Sequence, residues 1–183
     1  MTSYCDYIQA HPEDDLNKRY HDTQYGFPLR EDDQLFERLM LEVNQAGLSW
    51  ITILKKVENF QKAYDFFDID KVAAYQEADR VRLLADAGII RNRLKVNAAI
   101  ENARRIQSLR RERGSFLAWM DSHYPQTLEN WTLLFKKTFV FTGGEIVREF
   151  LTSTGYLPGA HDLDCPIYPM VRGKKPPWSR GKL

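Results

Sequence analysis

The sequence is poor in cysteine, in long apolar runs and in the alternating pattern of β-strands. Two cysteines among 183 residues are too few for a disulfide framework. No apolar run approaches the roughly 18 residues of a membrane-spanning helix, so we expect no membrane contact. The first residues contain neither a basic nor an apolar segment, so we expect no secretory signal and a cytoplasmic location. No stretch alternates apolar and polar residues for long enough to predict a strand.

Helical periodicity runs through most of the chain instead. Helices are predicted over residues 32–45, 50–60, 72–75, 79–86, 91–112, 115–123, 127–136 and 143–154. The length suits a single domain. We therefore predict an all-α fold in which residues 1–171 form one domain and residues 172–183 form a basic, flexible tail. A monomer is the expected oligomeric state.

Positive charge is concentrated in two segments, although the net charge is only +1. Residues 91–113 contain eight basic and two acidic residues, and the last twelve residues contain five basic residues and no acidic one. A basic face of this kind attracts polyanions such as nucleic acids. The alternative is a long helix whose charged face is simply solvated.

Each of the two cysteines has a histidine close to it in the sequence. Cys5 is followed by His21, and His161 is followed by Cys165. Two cysteines and two histidines form a closed tetrahedral ligand set for zinc, which here would tie the two ends of the chain together. A filled set leaves no position for a catalytic water, so the predicted zinc is structural. The alternative is that the cysteines are small buried apolar residues and the histidines lie at the surface.

One carboxylate falls on an apolar helix face. Glu42 points in the same direction as Leu35 and Leu39 in the helix predicted over residues 32–45. A carboxylate in apolar surroundings is a candidate for ligand recognition or proton transfer, or it is a structural acceptor of backbone N–H groups. Aromatic residues occur near this helix in the sequence: Tyr4, Tyr7, Tyr20, Tyr25 and Trp50. Flat rings together with one carboxylate suit a planar, nitrogen-rich ligand such as a nucleobase.

A short helix and a long basic helix meet at a glycine. Glycine leaves the following N–H groups uncovered, close to the positive end of the second helix. Such N–H groups and nearby basic side chains would hold a phosphate without reading a base. The alternative is an ordinary helix corner with glycine as its C-cap. The residues of this junction are Gly88, Ile89, Ile90, Arg91, Arg93 and Lys95.

Taken together, these segments resemble the DNA-3-methyladenine glycosylase I family. The strongest match is the run LEVNQAGLSW at residues 41–50, and the second is AGIIR at residues 87–91 with a lysine beyond it. Two further matches are YHD at residues 20–22 and the His-x3-Cys step at residues 161–165. The similarity extends in consistent order to about residue 168. The family often has tryptophan where this chain has Tyr7 and Tyr25, and an aromatic residue in place of Asn17.

The resemblance implies a helix–hairpin–helix glycosylase fold with a structural zinc site that joins the N- and C-terminal segments. It assigns the zinc ligands to Cys5, His21, His161 and Cys165. It implies that Glu42 recognises the base and that Tyr20 and Trp50 line the pocket, with Tyr7 and Tyr25 as further candidates. It also implies that Leu48, in the turn before Trp50, fills the gap left in the DNA stack.

The expected function is excision of 3-methyladenine from alkylated double-stranded DNA by hydrolysis of the N-glycosidic bond. We expect Glu42 to act in recognition and electrostatics first and in activation of water second. The alternative is a non-catalytic, zinc-stabilised module that binds DNA or RNA. A pure phosphate binder has no need of a carboxylate that faces aromatic rings. A metal-dependent hydrolase is disfavoured by the filled ligand set.

Overall fold

The computed structural model describes residues 3–180, and every regular element in that range is a helix. The α-helices are α1 (Tyr4–Ala10), α2 (Asp15–Thr23), α3 (Asp32–Gln45), α4 (Trp50–Leu54), α5 (Val57–Ala63), α6 (Ile69–Ala74), α7 (Glu77–Ala85), α8 (Arg93–Arg113), α9 (Phe116–Ser122), α10 (Leu128–Thr138), α11 (Gly144–Ser153) and α12 (Tyr168–Gly173). The predicted all-α fold is therefore confirmed for these residues. No helix between residues 3 and 180 is long and apolar enough to cross a membrane.

Helix α3 carries much of the core. Its apolar stripe is fully buried and consists of Leu35, Phe36, Leu39, Met40 and Val43. The helix begins with two aspartates, whose negative charge is favoured at this end of the helix dipole. Asp32 accepts the backbone N–H groups of Phe116 and Leu117 at 2.9 and 3.0 Å, which joins the start of α3 to the start of α9. The helix is thus anchored at its N-terminal end.

Several basic residues of α8 hold neighbouring helices and do not form a free positive face. Arg104 donates to two carbonyl oxygens at the end of α6, at 2.9 and 3.0 Å. Arg105 donates to a carbonyl oxygen at the end of α10, and Arg110 pairs with two carboxylates at the start of α3. Cations complement the negative C-terminal end of a helix, which explains the contacts of Arg104 and Arg105. The basic face of residues 91–113 is therefore smaller than the composition indicates.

The helix predicted over residues 50–60 is divided in two. Helix α4 ends at Leu54 and α5 begins at Val57. Lys56 lies between them with φ −112° and ψ 0°, and its Nζ donates to the carbonyl oxygens of Ala87 and Gly88 at 3.2 and 3.1 Å. The break directs this lysine towards the α7–α8 junction. The local sequence pattern does not predict this tertiary contact.

The predicted boundary between residues 171 and 172 falls inside α12. The described part of the expected flexible tail is packed, because Pro176 and Pro177 are buried and the backbone N–H of Trp178 donates to Gly155 O at 3.2 Å. Gly155 has φ +77°, and a Cβ there would lie 2.7 Å from the Cβ of Pro176. Glycine at residue 155 thus permits the tail to dock. Residues 181–183 of the predicted tail lie outside the described residues.

Candidate active site

A cavity of about 310 Å³ opens between the N-terminal helices, the last turn of α3, the start of α4 and α11. Its walls are formed by Tyr4, Tyr20, Tyr25, Glu42, Gln45, Trp50 and Glu149. The structure thus brings together four residues that the sequence proposed for a base pocket. The sequence pattern assigns no role to Gln45, Glu149 or Tyr4. The position of Glu149 beside an apolar helix stripe is its only sequence signal, and it is too common to mark a site.

Glu42 is the buried acid of this cavity. It is 4% exposed, and no residue among 3–180 donates a hydrogen bond to its carboxylate. Burial raises the pKa of Glu42 to about 8, which the Arg38 guanidinium opposes and the Glu149 carboxylate reinforces. In the protein without ligand, Glu42 is therefore mainly protonated at neutral pH. A cation placed beside it would favour the ionised form.

Two further polar groups of the cavity residues are buried without a partner. Neither the hydroxyl of Tyr20 nor the indole Nε1 of Trp50 makes a hydrogen bond. Ser153 lies near the Tyr20 hydroxyl, but its own Oγ donates to Phe150 O at 3.1 Å. A buried polar group without a partner costs about 1–3 kcal/mol. Both residues line the cavity, and a ligand that reached these donors would supply the missing partners.

The aromatic walls are ordered by contacts with each other. The rings of Tyr20 and Trp50 are 5.0 Å apart, and those of Tyr4 and Tyr25 are 5.3 Å apart and nearly perpendicular. The Arg38 guanidinium lies 5.1 Å from the centre of the Tyr20 ring. These contacts hold a flat slot open beside Glu42.

Tyr7 does not line the cavity with Glu42. Its hydroxyl donates to Asp14 at 2.9 Å, and its ring stacks on His11 at 4.3 Å. It borders a second, neighbouring cavity with Asn17 and Trp50. Tyr4, one turn earlier on α1, borders both cavities, and its ring stacks on that of Tyr7 at 6.3 Å. The structure therefore places Tyr7 beside Trp50 in the neighbouring cavity, and its part in base binding stays a prediction.

The turn between α3 and α4 presents Leu48 to the solvent. Leu48 is 38% exposed, and Gly47 before it has φ +80°, a conformation that favours glycine. The side chain of Gln45 donates to Leu48 O at 2.9 Å and fixes the turn. Leu48, which is predicted to fill the gap in the DNA stack, thus lies free at the surface, next to the residues that line the cavity.

The two cysteines and two histidines meet in one buried cluster. Their ligand atoms, from Cys5, His21, His161 and Cys165, all lie within 4.8 Å of one another. The two histidine nitrogens are 3.1 Å apart, and the sulfur–nitrogen distances run from 3.3 to 3.9 Å. A tetrahedral zinc site has edges of about 3.3 Å between nitrogens and about 3.6 Å between nitrogen and sulfur. The donor set and its spacing therefore fit zinc.

Hydrogen bonds around the cluster orient its ligands. His21 Nδ1 donates to Asp22 at 2.7 Å and His161 Nε2 donates to Tyr25 O at 2.8 Å, which leaves the opposite ring nitrogens to face the cysteines. Metal-binding histidines commonly have such partners. Burial raises the pKa of the Cys5 thiol, and the backbone N–H of Asp162, which donates to Cys5 Sγ at 3.4 Å, partly opposes this shift. The alternative of surface histidines is wrong, since both are buried.

The cluster also positions the aromatic walls of the cavity. Tyr4 precedes Cys5 and Tyr20 precedes His21 in the chain, and Tyr25 is held through its carbonyl oxygen by His161. The order of these rings therefore depends on the link between the two ends of the chain.

The junction between α7 and α8 is packed around Gly88. A Cβ at Gly88 would lie 2.9 Å from the Asp86 carboxylate and 3.2 Å from Asn59. The N–H of Gly88 donates to Asp86 at 2.7 Å, so this group is not free for a phosphate. Asn92 likewise takes the N–H groups of Leu94 and Lys95. Glycine is needed here for close packing. Of the N–H groups that follow it, that of Ile89 donates to Asp86 O at 3.4 Å, whereas those of Ile90 and Arg91 have no acceptor among the described residues.

Lys95 is directed inward, and its assignment to phosphate binding is also corrected. Its side chain is buried, and Nζ donates to Asn44 O at 2.8 Å and to Ala46 O at 2.7 Å. Desolvation lowers the pKa of this lysine. Lys95 therefore caps the C-terminal end of α3, immediately after Glu42, and links the cavity to the start of α8.

The other residues of the junction divide by burial. Ile89 is buried and Ile90 is half-buried, so they support the turn from within. Arg91 and Arg93 are exposed. They are the two basic side chains of this junction that stand free to meet an anion.

The fold and the site together define an all-helical protein with an aromatic, acidic ligand cavity beside a Cys2His2 cluster. The chain belongs to the methyladenine glycosylase family, whose sequence model matches residues 10–133. The resemblance found in the sequence is thereby confirmed.

Known relatives cover almost the whole chain. DNA-3-methyladenine glycosylase 1 of Escherichia coli (strain K12) is 39% identical over an alignment of 191 residues, gaps included. The alignment covers 94% of this chain and 98% of the relative. The DNA-3-methyladenine glycosylase of Haemophilus influenzae is 33% identical over 185 residues, with 91% and 98% covered. A solved structure of 3-methyladenine DNA glycosylase I from Staphylococcus aureus superimposes with a TM-score of 0.78 at 32% identity, covering 85% of this chain and 92% of that one.

Proposed function

We propose that this protein is a DNA repair glycosylase that flips 3-methyladenine out of alkylated double-stranded DNA and hydrolyses its N-glycosidic bond. The observation that carries the proposal is the cavity, in which a buried acid lies among aromatic residues, two of which have a buried donor without a partner. A related enzyme has been solved in complex with 3-methyladenine, with a TM-score of 0.78 to this chain. A ligand with a flat ring, a positive charge and polar edges supplies what the cavity lacks.

Extrusion of the base is balanced by new contacts. Unstacking a nucleotide costs a few kcal/mol, and stacking on an aromatic ring returns about 1–3 kcal/mol. Trp50 and Tyr20 supply the rings, and Leu48, exposed on the neighbouring turn, fills the gap in the duplex. Arg91 and Arg93 contact phosphates without reading sequence.

The reaction needs little proton transfer to the base. A purine methylated at N3 is cationic while it is joined to the sugar, so the electron pair of the breaking C1′–N9 bond neutralises the ring and the base leaves uncharged. Water adds to the sugar carbon and releases one proton to the solvent. Ionised Glu42 hydrogen-bonds the exocyclic amine and complements the positive ring, and its second role is to orient the attacking water.

Zinc acts here as a structural ion. Cys5, His21, His161 and Cys165 would hold it, and bound there it would fix both chain ends through four strong bonds. The chain's own contribution to the site is the placement of the tyrosines beside these ligands. No step of the reaction passes through the cluster.

Release of free 3-methyladenine from methylated duplex DNA tests the proposal. Wild type should release the base, and Glu42→Gln should lose most of this activity while it keeps its affinity for the duplex. Glu37→Gln is the matched control, since Glu37 lies on the same helix and borders a different cavity with Gln61. Duplex binding by the wild type without any base release would instead identify a non-catalytic DNA-binding module.

A further inference from the structure

We propose that Lys95 and Lys56 are positioning residues for DNA. They tie the turn at residues 46–49 to the α7–α8 junction, so that Leu48 enters the duplex at a fixed distance from the phosphates that the junction binds. The inference rests on the proposed function, in which Leu48 fills the gap in the DNA stack. It comes from two pairs of hydrogen bonds that join the two segments in opposite directions.

Lys95 holds the first part of the turn. Its Nζ donates to Asn44 O at 2.8 Å and to Ala46 O at 2.7 Å. Gln45 O, between these two in the chain, accepts the backbone N–H of Leu48 at 2.7 Å. Three successive carbonyl oxygens at the end of α3 are thus bound, two by the lysine and one by Leu48 itself. The backbone that leads to Leu48 is therefore fixed to α8.

Lys56 completes the connection from the other side. It follows α4, the helix into which the turn leads, and its Nζ donates to Ala87 O at 3.2 Å and to Gly88 O at 3.1 Å. Asn59 adds a weaker donor to Gly88 O at 3.4 Å. The turn and α4 are therefore joined to the α7–α8 junction at both ends, since each lysine reaches carbonyl oxygens of the other segment.

Hydrogen bonds, more than packing, determine where this turn lies. Leu48 is 38% exposed, and a Cβ at Gly47 would meet no neighbour within 4 Å, so the turn projects from the surface. The ammonium of Lys95 is buried at a cost, because desolvation lowers its pKa and no carboxylate among residues 3–180 opposes this shift. An apolar side chain would avoid that cost but would leave the turn without its link to α8.

A fixed link matters because phosphate binding and insertion occur on the same duplex. The N–H groups of Ile90 and Arg91 have no acceptor among the described residues, and Arg91 and Arg93 are exposed, so phosphates can bind here. A turn free to move relative to these groups would lose conformational entropy at each insertion. Through the two lysines, binding of the phosphates also places Leu48.

Affinity for a gap in the duplex measures this placement without any chemistry. The probes are a duplex with one tetrahydrofuran abasic analogue and the same duplex with adenine at that position, and fluorescence anisotropy with the zinc-loaded full chain gives both affinities. The wild type should prefer the abasic duplex. Lys95→Met should lose about tenfold of this preference, and its affinity for the intact duplex should change less than twofold.

A double-mutant cycle shows whether the lysine acts through Leu48. Leu48→Ala should by itself lose a similar part of the preference. Because Lys95 is expected to act only by placing this leucine, the double variant Lys95→Met/Leu48→Ala should show no further loss. Independent effects would multiply instead, to about a hundredfold.

Arg104→Met is the matched control. Arg104 lies on the same helix as Lys95 and also donates to two carbonyl oxygens at the end of a helix, in this case α6, so its loss lowers stability without touching the turn. It should keep the wild-type preference. Lys56→Met is the second test variant, because Lys56 is only half-buried and its replacement should be tolerated by the fold. It should lose about three- to fivefold of the preference.

The outcomes that overturn the proposal are distinct from those that overturn the enzyme assignment. A multiplied loss in the double variant, an unchanged preference in the lysine variants, an equal loss in Arg104→Met or a wild type without any preference would each refute the positioning role. Release of 3-methyladenine from methylated duplex, measured on the same preparations, tests the enzyme assignment separately. If the wild type releases no base but its abasic preference depends on Lys95 and Leu48 as expected, the enzyme assignment fails and the positioning role is supported.

Discussion

Replacement of Glu42 by glutamine should stabilise the protein, and the gain should grow with pH. The pKa of Glu42 is about 8 in the folded chain, against an ordinary value of 4.5. A carboxyl group whose pKa is raised by folding stabilises the protein only while it is protonated, so this contribution is lost as pH rises from 4.5 to 8. Glutamine has nearly the same size and does not ionise, so the free energy of unfolding of the variant does not fall in this way as the pH rises.

The size of the effect follows from the two pKa values. Each unit of difference corresponds to about 1.4 kcal/mol. The free energy of unfolding of Glu42→Gln should exceed that of the wild type by roughly 3 kcal/mol at pH 7 and by less than about 1 kcal/mol at pH 5. Above pH 8 the difference in the free energy of unfolding should level off, because the Glu42 carboxyl is then ionised in both the folded and the unfolded wild-type chain.

Urea denaturation at pH 5, 6, 7 and 8, with zinc in excess, measures this difference. Protonation of the cluster ligands affects wild type and variant equally, so it cancels in the comparison. Glu145→Gln is the control, since this exposed carboxylate should give a difference that does not vary with pH. A gain that is flat from pH 5 to pH 8, or a variant less stable than wild type at pH 7, would refute the argument that Glu42 is buried without a partner.

Three further predictions concern the cluster and the α7–α8 junction. Cys165→Ala should abolish stoichiometric zinc in metal analysis and lower the melting temperature by about 10 °C or more, because binding energy at such a site is folding energy; wild-type protein that purifies without zinc would contradict this. Lys95→Met should cost about 2–4 kcal/mol in urea denaturation, because Asn44 O and Ala46 O lose their donor, and should leave the salt dependence of duplex binding unchanged. Arg93→Ala should do the opposite and reduce the slope of log affinity against log salt by about one, with no loss of stability.

Local chemistry determined the helices and part of the cavity. Periodicity predicts α3 and α8 because an apolar stripe on a helix depends on residues three or four apart, all within reach of one window of sequence. The same stripe identifies Glu42 as a candidate site residue. A carboxylate on an apolar helix face is costly to bury, whichever element the helix packs against. Pairing Cys5 and Cys165 with their neighbouring histidines required only ligand chemistry, and the structure brings the four together.

Tertiary structure decided the direction of side chains that a sequence shows only as charged or aromatic. Lys95 belongs to a basic segment in the sequence, yet it is buried because the end of α3 offers two carbonyl oxygens at that place. Tyr4 and Tyr7 are the same residue type on the same helix. Only the docking of α1 decides that Tyr4 lines the cavity with Glu42 and that Tyr7 does not.

Glu149 joins the cavity for a similar reason, since α11 packs beside α3 across a long stretch of chain. Its environment is set by residues far away in sequence, because desolvation and Coulomb interactions depend on distance in space and not along the chain. The sequence by itself therefore determined which elements form and which residues carry chemistry, and the packing of those elements decided which charges face the ligand.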